Sequence, residues 1–357
     1  MKREITFAQA IHEALDICLA NDPAVFLIGE GVPDPKGIFG TTAGLAQKYG
    51  PNRVMDMPVA ENGLTGICVG AALRGMRPVL THQRVDFAIL SLDQLINNAA
   101  KWYFMFGGLK SVPLVVRVIV GRGWGQGAQH AQSLQSIFAH IPGLKVVLPA
   151  TVSDAKGLMI AAIEDANPVI CIEHRWLHGL KGEVPEGYYR VPLGQANVLQ
   201  EGKDLTIVAS SHMTIECRRA VSFLERMGLS VELIDVRTIK PLDEATILKS
   251  VKKTGRLLVA DGDWLTAGFA GEIVSRVCEN VFSSLKGAPR RVTWPDIPSP
   301  STPALTKDYY PGYRQIVGEA AGMFGLNANT HSDVFKDVYA QSLYPADVPD
   351  LSFTGPF

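Results

Sequence analysis

A glutamate and a histidine, each beside small residues, are the first candidates for chemistry. Glu61 lies in MPVAENGLTG, where a strand-like run gives way to a helix opened by Gly63 and Gly66. A carboxylate there commonly complements the positive end of the helix dipole. It can equally be held at a strand end, which is where open α/β sheets bind ligands. His130, in AQHAQS, follows a glycine-rich loop. An imidazole with an ordinary pKa near 6.5 exchanges protons near neutrality, so a histidine presented to a cleft can act as acid or base. A lone histidine is nevertheless more often core or surface.

The loop itself, GRGWGQG (121–127), ends the β-branched run VPLVVRVIV. Its spacing does not match G-x-G-x-x-G, and no acidic residue closes a following strand at the required distance. A structural glycine loop is therefore favoured over a nicotinamide-nucleotide site. The five cysteines (Cys18, Cys68, Cys171, Cys217 and Cys278) are far apart and contain no CxxC, which argues against a disulfide framework or zinc site.

These residues must be positioned by alternating strands and helices. The helical ITFAQAIHEALDICLAND precedes the apolar run AVFLIGEG, and GLTGICVGAALRGM precedes the strand RPVLTH. SLDQLINNAAKWYFMF reads as one helix. LKVVLPA, SDAKGLMIAAIEDA and PVICIEH continue the βαβ rhythm, which favours a parallel sheet covered by helices on both faces. A Gly-, Pro- and Tyr-rich stretch then interrupts the pattern, and alternation restarts at DLTIVASS and runs to RRVTWPDIP. The expectation is an α/β chain of two doubly wound domains, 1–180 and 203–357, joined by a linker at 181–202.

With 47% hydrophobic and 19% charged residues among 357, the chain is globular and large enough for two cores. A net charge of −1 favours neither nucleic acid nor an anionic membrane as partner. No stretch approaches the roughly 20 apolar residues of a membrane span, and the charged start MKREITFAQAIHEAL lacks the apolar core of a signal peptide, so a cytoplasmic location is expected.

Taken in order, AENGLTGICVGAALRGMRPV, DQLINNAAK, AQHAQS, HIPGLKVVLPATVSDAKGLMIAAIEDANPV, GEVPEGYYRVPLG, EGKDLTIVA, VELIDVRTIKPLD, SVKKTGRLLVADG and GFAGEI resemble the beta subunit of the decarboxylating component of 2-oxo acid dehydrogenases (pyruvate, branched-chain and acetoin type) from about Ile5 to Val317. The resemblance implies a transketolase-like pyrimidine-binding domain followed by a smaller transketolase C-terminal-type domain. It also implies oxidative decarboxylation of a small 2-oxo acid with acyl transfer to lipoamide, using thiamine diphosphate. Glu61 would hydrogen-bond the aminopyrimidine ring and so assist removal of the thiazolium C2 proton. Phe87, in VDFAI, would pack on the pyrimidine. His130 would face the substrate and the lipoyl group. Leu114, Val115, Ala162, Asp165 and Asn167 match positions that hold a potassium ion in many such subunits.

Thiamine diphosphate enzymes bind magnesium and the diphosphate through Gly-Asp-Gly with a later asparagine. DGDW (Asp261–Trp264) lacks the second glycine, and Asn280 stands too near. Mg2+ and the diphosphate are therefore expected on an alpha-type partner in an alpha-2 beta-2 heterotetramer, with a lipoyl acyltransferase as a further partner. Thr81, Arg84, Ala131, His212, Arg122 and Trp124 depart from the family pattern around the expected site. Arg84 and Arg122 suit a phosphorylated or acidic substrate, since guanidinium pairs bidentately with such groups. That keeps open a split transketolase-like enzyme transferring a ketol group. A non-catalytic assembly subunit is the other alternative, disfavoured because Glu61 is present.

Overall fold

The computed structural model describes residues 2–122 and 125–340. Its larger sheet has seven strands, in the spatial order Thr238–Lys240, Lys145–Val147, Val169–His174, Val115–Val120, Arg77–His82, Val25–Gly29, Val54–Met55. All neighbours are parallel except the edge pair formed by Thr238–Lys240 and Lys145–Val147. Val25–Gly29, Val115–Val120 and Val169–His174 are buried along their whole length. That is the signature of a parallel sheet with helices on both faces, and it is why these strands read as continuous apolar runs rather than alternating ones.

The helix Phe7–Asn21 covers one face together with Val152–Glu164. Its start is fixed locally: Thr6 Oγ1 accepts from the Gln9 amide at 3.2 Å while Gln9 Oε1 accepts from the Thr6 amide at 2.8 Å. The reciprocal cap satisfies two end groups at once.

The second sheet has five strands, ordered Arg290–Trp294, Leu257–Trp264, Leu205–Ala209, Val231–Asp235, Asn197–Gln200, with only the last pair antiparallel. A separate ribbon pairs Lys2–Thr6 with Lys181–Pro185. The stretch 181–202 thus carries two strands, one returning to the N-terminus and one opening the second sheet. Thr238–Lys240, by contrast, crosses back to the first sheet.

The helix expected over SLDQLINNAAKWYFMF differs. It is a wide-turned segment, Gln94–Ala99, followed by the short helix Trp102–Met105. The Ala100 amide reaches the Leu95 carbonyl at 3.0 Å, five residues back. The widened turn sets Gln94 against the helix Glu61–Leu73, where Gly66 has no side chain to obstruct it and Asn62 Oδ1 accepts from Gln94 Nε2 at 3.0 Å. The tail carries the helices Pro303–Tyr309, Tyr313–Gly322 and Ser332–Val338, with Tyr309 and Tyr310 packed on Trp294. Among the described residues no helix is long and apolar enough to cross a membrane. All five cysteines are free, and four are buried.

Candidate active site at the carboxyl edge of the large sheet

The candidate residues gather where the parallel strands of the first sheet end. Glu61 opens the helix after the edge strand Val54–Met55, and Phe87 lies in the short helix Val85–Ala88 just past Arg77–His82. His130 closes the loop that leaves Val115–Val120. Carboxyl ends of parallel strands are the ligand-binding edge of such sheets.

Glu61 is only 6% exposed, and among the described residues no cation pairs with it. Its backbone is held from behind. The Glu61 carbonyl accepts from Thr65 Oγ1 at 2.6 Å and from Ser91 Oγ at 3.3 Å. Ser91 Oγ in turn lies 3.2 Å from His82 Nε2, and burial pushes the His82 imidazole down to about 4, so it is neutral at physiological pH. Glu30 faces the same space. Its carboxyl is raised by partial burial and then by Glu61 and Asp56. Thr65, Ser91 and His82 are supports that sequence reading did not single out; their only sequence signal is a polar residue within otherwise apolar stretches.

Phe87 and His130 meet directly. Their rings stand edge to face, 5.6 Å between centroids at 89°. Both are half-buried, so this pair forms part of a wall open to solvent. Gln132, two residues beyond His130, donates from Nε2 to Asp86 Oδ1 at 2.8 Å and ties the histidine loop to the Phe87 helix.

The glycine loop is held by arginines. Arg175 donates through Nε to the Arg122 carbonyl at 3.1 Å and through Nη1 to Gln126 Oε1. The Arg122 guanidinium lies between the Trp176 ring at 4.1 Å and the Tyr310 ring at 4.0 Å. Gly121 adopts φ +123°, and a Cβ there would fall 2.9 Å from Arg175 Cγ, so the glycine permits the close approach. Trp124 lies outside the described residues.

Behind this loop, a cavity between the two sheets is lined by Gly121, Arg122, His174, Ser211, His212 and Asp261. His174 and His212 stack at 4.6 Å, and burial lowers both imidazoles, His212 to about 4. Ser211 carries φ +50°, a left-handed conformation that favours glycine, so a serine there holds backbone strain. Thr81 and Ala131 are both buried.

The cofactor-binding candidates divide in two. The pyrimidine end fits: a buried carboxylate without a cationic partner and a half-exposed aromatic ring stand at the same sheet edge. The diphosphate end does not. Asp261 accepts from Gln135 at 3.1 Å and Asp263 accepts from Ser136 at 2.5 Å, so the DGDW carboxylates are used inside the protein. Burial, then the neighbouring Asp263, pushes Asp261 up to about 7. Among the described residues no group of three or more His, Cys, Asp or Glu converges as a metal centre.

The potassium positions cluster at one corner. Asp165 ends the helix Val152–Glu164, Leu114 precedes the strand that begins at Val115, and the Leu114 carbonyl accepts from the Val169 amide at 2.9 Å. The Asp165 carboxylate pairs with Lys145 and accepts from the Asn167 amide. Arg77 Nη1 donates to the Ile163 and Asp165 carbonyls at 2.9 and 3.1 Å. The carboxylate and one backbone oxygen of this set are thus engaged by protein cations, which leaves carbonyl oxygens as the groups able to hold potassium.

Comparison with known proteins agrees with this architecture. The transketolase pyrimidine binding domain matches residues 3–179 and the transketolase C-terminal domain matches residues 194–316. The chain is 42% identical over 330 residues to the beta subunit of acetoin:2,6-dichlorophenolindophenol oxidoreductase of Cupriavidus necator, covering 90% of this chain and 97% of the relative. It is 40% identical over 322 residues to the mitochondrial pyruvate dehydrogenase E1 component subunit beta-2 of Oryza sativa subsp. japonica, covering 89% and 86%. A solved split-gene transketolase, described as an inactive beta4 tetramer, superposes with a TM-score of 0.72 at 25% identity, covering 90% of this chain and 99% of that one. The chain therefore belongs to the family of beta subunits of the decarboxylating component of 2-oxo acid dehydrogenases, built from transketolase-type pyrimidine-binding and C-terminal domains.

Proposed function

We propose that this chain is the beta half of an acyl-transferring 2-oxo acid dehydrogenase, active only with an alpha-type chain and thiamine diphosphate between them. The observation that carries the reading is Glu61: a buried carboxylate that no cation pairs with among the described residues, braced from behind and set at the ligand-binding edge of the sheet. When bound, thiamine diphosphate supplies the electron sink for breaking the bond between carboxylate and keto carbon. Glu61 would give a proton to the aminopyrimidine ring nitrogen and take it back. Phe87 offers a flat apolar face to that ring. His130, half-exposed beside Phe87, exchanges protons with the substrate or the incoming acyl acceptor, lipoamide on a lipoyl acyltransferase.

The internal use of Asp261 and Asp263 supports assigning the diphosphate and Mg2+ to the partner. The carbonyls of Leu114, Val115, Ala162 and Asn167 are the groups that would take K+, since Asp165 is engaged by Lys145 and Arg77. An alpha-2 beta-2 assembly is supported by apolar surface: Phe104, Met105 and Leu109 are 88%, 63% and 85% exposed in one segment. Clustered exposure of that kind marks an interface rather than ordinary surface. We place domain boundaries at 1–180 and 203–357, and a cytoplasmic setting accords with the free thiols. The likeness to a split-gene transketolase keeps ketol transfer as the second reading.

The test is Glu61→Gln in the complex reconstituted with the partner. Thiamine C2 proton exchange should fall roughly 10²–10⁴-fold, the range of one acid–base contribution. A carboxylate serving only the helix dipole would change stability by about 0.3–1 kcal/mol and leave exchange alone. Normal exchange with a lowered melting temperature would refute the assignment.

A further inference from the structure

Three arginines follow closely on the ends of adjacent strands. Arg84 lies two residues past His82, Arg122 two past Val120, and Arg175 one past His174. The strands Arg77–His82, Val115–Val120 and Val169–His174 are consecutive neighbours in the sheet. Neighbouring strands lie about 4.8 Å apart, so topology collects three guanidinium groups at one carboxyl edge, beside Phe87 and the loop that ends in His130.

All three are buried, at 6%, 8% and 2% exposure. Among the described residues Arg84 makes no hydrogen bond or ion pair through its side chain, and its Nη1 is fully enclosed without a partner. Asp86 is the carboxylate facing Arg84 and Arg175, but it already accepts from Gln132. The positive charges feel one another: burial, and after it Arg84 and Arg122, bring Arg175 down to about 9. Arg122 and Arg175 have visible structural work in holding the glycine loop. Arg84 has none. A buried guanidinium with an unused donor is costly to maintain unless an anion completes it, and the planar fork matches carboxylate or phosphate.

We propose that Arg84, within the positive field of Arg122 and Arg175, receives a second anionic group on the substrate, a carboxylate or phosphate remote from the 2-oxo acid function. The inference rests on the reading of Glu61, Phe87 and His130 as the active site, and it narrows the substrate class to 2-oxo acids with an anionic tail.

The test uses the reconstituted complex with thiamine diphosphate and Mg2+, following reduction of 2,6-dichlorophenolindophenol. Arms with 2-oxoglutarate and 3-phosphohydroxypyruvate distinguish carboxylate from phosphate tails, and 2-oxobutyrate is the neutral-tail reference. One anionic arm should exceed the reference in kcat/KM by roughly tenfold or more. Arg84→Met should shrink that ratio by roughly 10- to 100-fold, the value of a charge-assisted hydrogen bond, mostly through KM. Arg84→Lys should restore part of it. In the wild type, glutarate should inhibit competitively at lower concentration than butyrate, which needs no variant to fold. Equal ratios in the wild type, or an Arg84→Met loss shared alike by all three substrates, would overturn the proposal. C2 proton exchange without substrate separates the two readings. Its absence in the wild-type complex would defeat the proposed function, whereas exchange without anionic preference would defeat the arginine assignment alone.

Discussion

Arg117 and Glu173 form an ion pair in the middle of the first sheet, and removing one partner should cost far more than removing both. Arg117 donates through Nε and Nη2 to the two Glu173 oxygens at 2.6 and 2.9 Å, and Nη2 also reaches Thr41 Oγ1 at 2.9 Å. His178 Nε2 lies 3.2 Å from the same carboxylate. Both side chains are essentially unexposed. Burial alone would push the Glu173 carboxyl up, but Arg117 and His178 outweigh it and hold the group at about 2. It is therefore charged at any working pH. In Arg117→Met the carboxylate is left in the interior, with His178 as its remaining neighbour. Breaking a buried pair in this way costs about 3–5 kcal/mol, whereas replacing both partners with apolar groups is often close to neutral. For a domain of this size that corresponds to a fall in melting temperature of about 10 °C. Arg117→Met, Glu173→Leu and the double variant would be compared by denaturant titration. The expected result is a double variant more stable than either single one, with a coupling energy of several kcal/mol. Single losses below about 1 kcal/mol that simply add would refute the reasoning.

Ser91→Ala removes the hydroxyl linking Thr65, the Glu61 carbonyl and His82. It should cost about 1–3 kcal/mol by leaving buried polar groups short of a partner; a denaturant midpoint essentially equal to wild type would show that hydroxyl to be idle. Stability should fall as pH rises from about 6.5 to 8.5. Burial holds the folded His82 and His212 near 4 and His174 well below its ordinary value, so below 6.5 the unfolded chain takes up three protons that the folded chain refuses. Burial raises Asp235 to about 8 and Asp261 to about 7, so between about 4 and 7 the folded chain holds two protons that the unfolded chain releases. Asp263 and Glu30, also raised by burial, hold further protons in that range, so acids and histidines oppose one another below 6.5. Above it the histidines drop out, and stability falls as the aspartates lose their protons toward pH 8. Thermal melts from pH 6.5 to 8.5 read this directly; stability that rises with pH over that range would contradict it.

The long elements are legible because each carries its own period. Val115–Val120 and Val169–His174 are apolar throughout since both faces are covered, and the capping residues Thr6 and Thr151 mark two helix starts. What escapes is decided at long range. Thr238–Lys240 has only three residues, and its partner lies about 90 positions away in the first sheet. Lys181–Pro185 resembles a linker in composition because it belongs to a two-stranded ribbon and is mostly exposed. The segment Gln94–Ala99 has helical periodicity, yet its turn is widened where it lies against Gly66, a neighbour that local pattern does not reveal.

Glu61 shows how far residue type alone carries a site. Its position at a helix start admits a dipole partner or a ligand group, and the two readings differ only in what surrounds the carboxylate. Burial without a cation favours the ligand role, and that is a property of packing rather than of spacing. The arginines present the opposite case. Arg175 passes unnoticed in EHRWLH because a single arginine after a strand is ordinary. Its meaning appears only when the ends of three adjacent strands are aligned, which sets Arg84, Arg122 and Arg175 side by side. Strand order is therefore the information that brings two sequence departures and one unremarked arginine to a single buried edge. In a parallel sheet the residues just past each strand all face the same edge. A buried guanidinium there with an unused donor, as at Arg84, points to the ligand rather than to the fold.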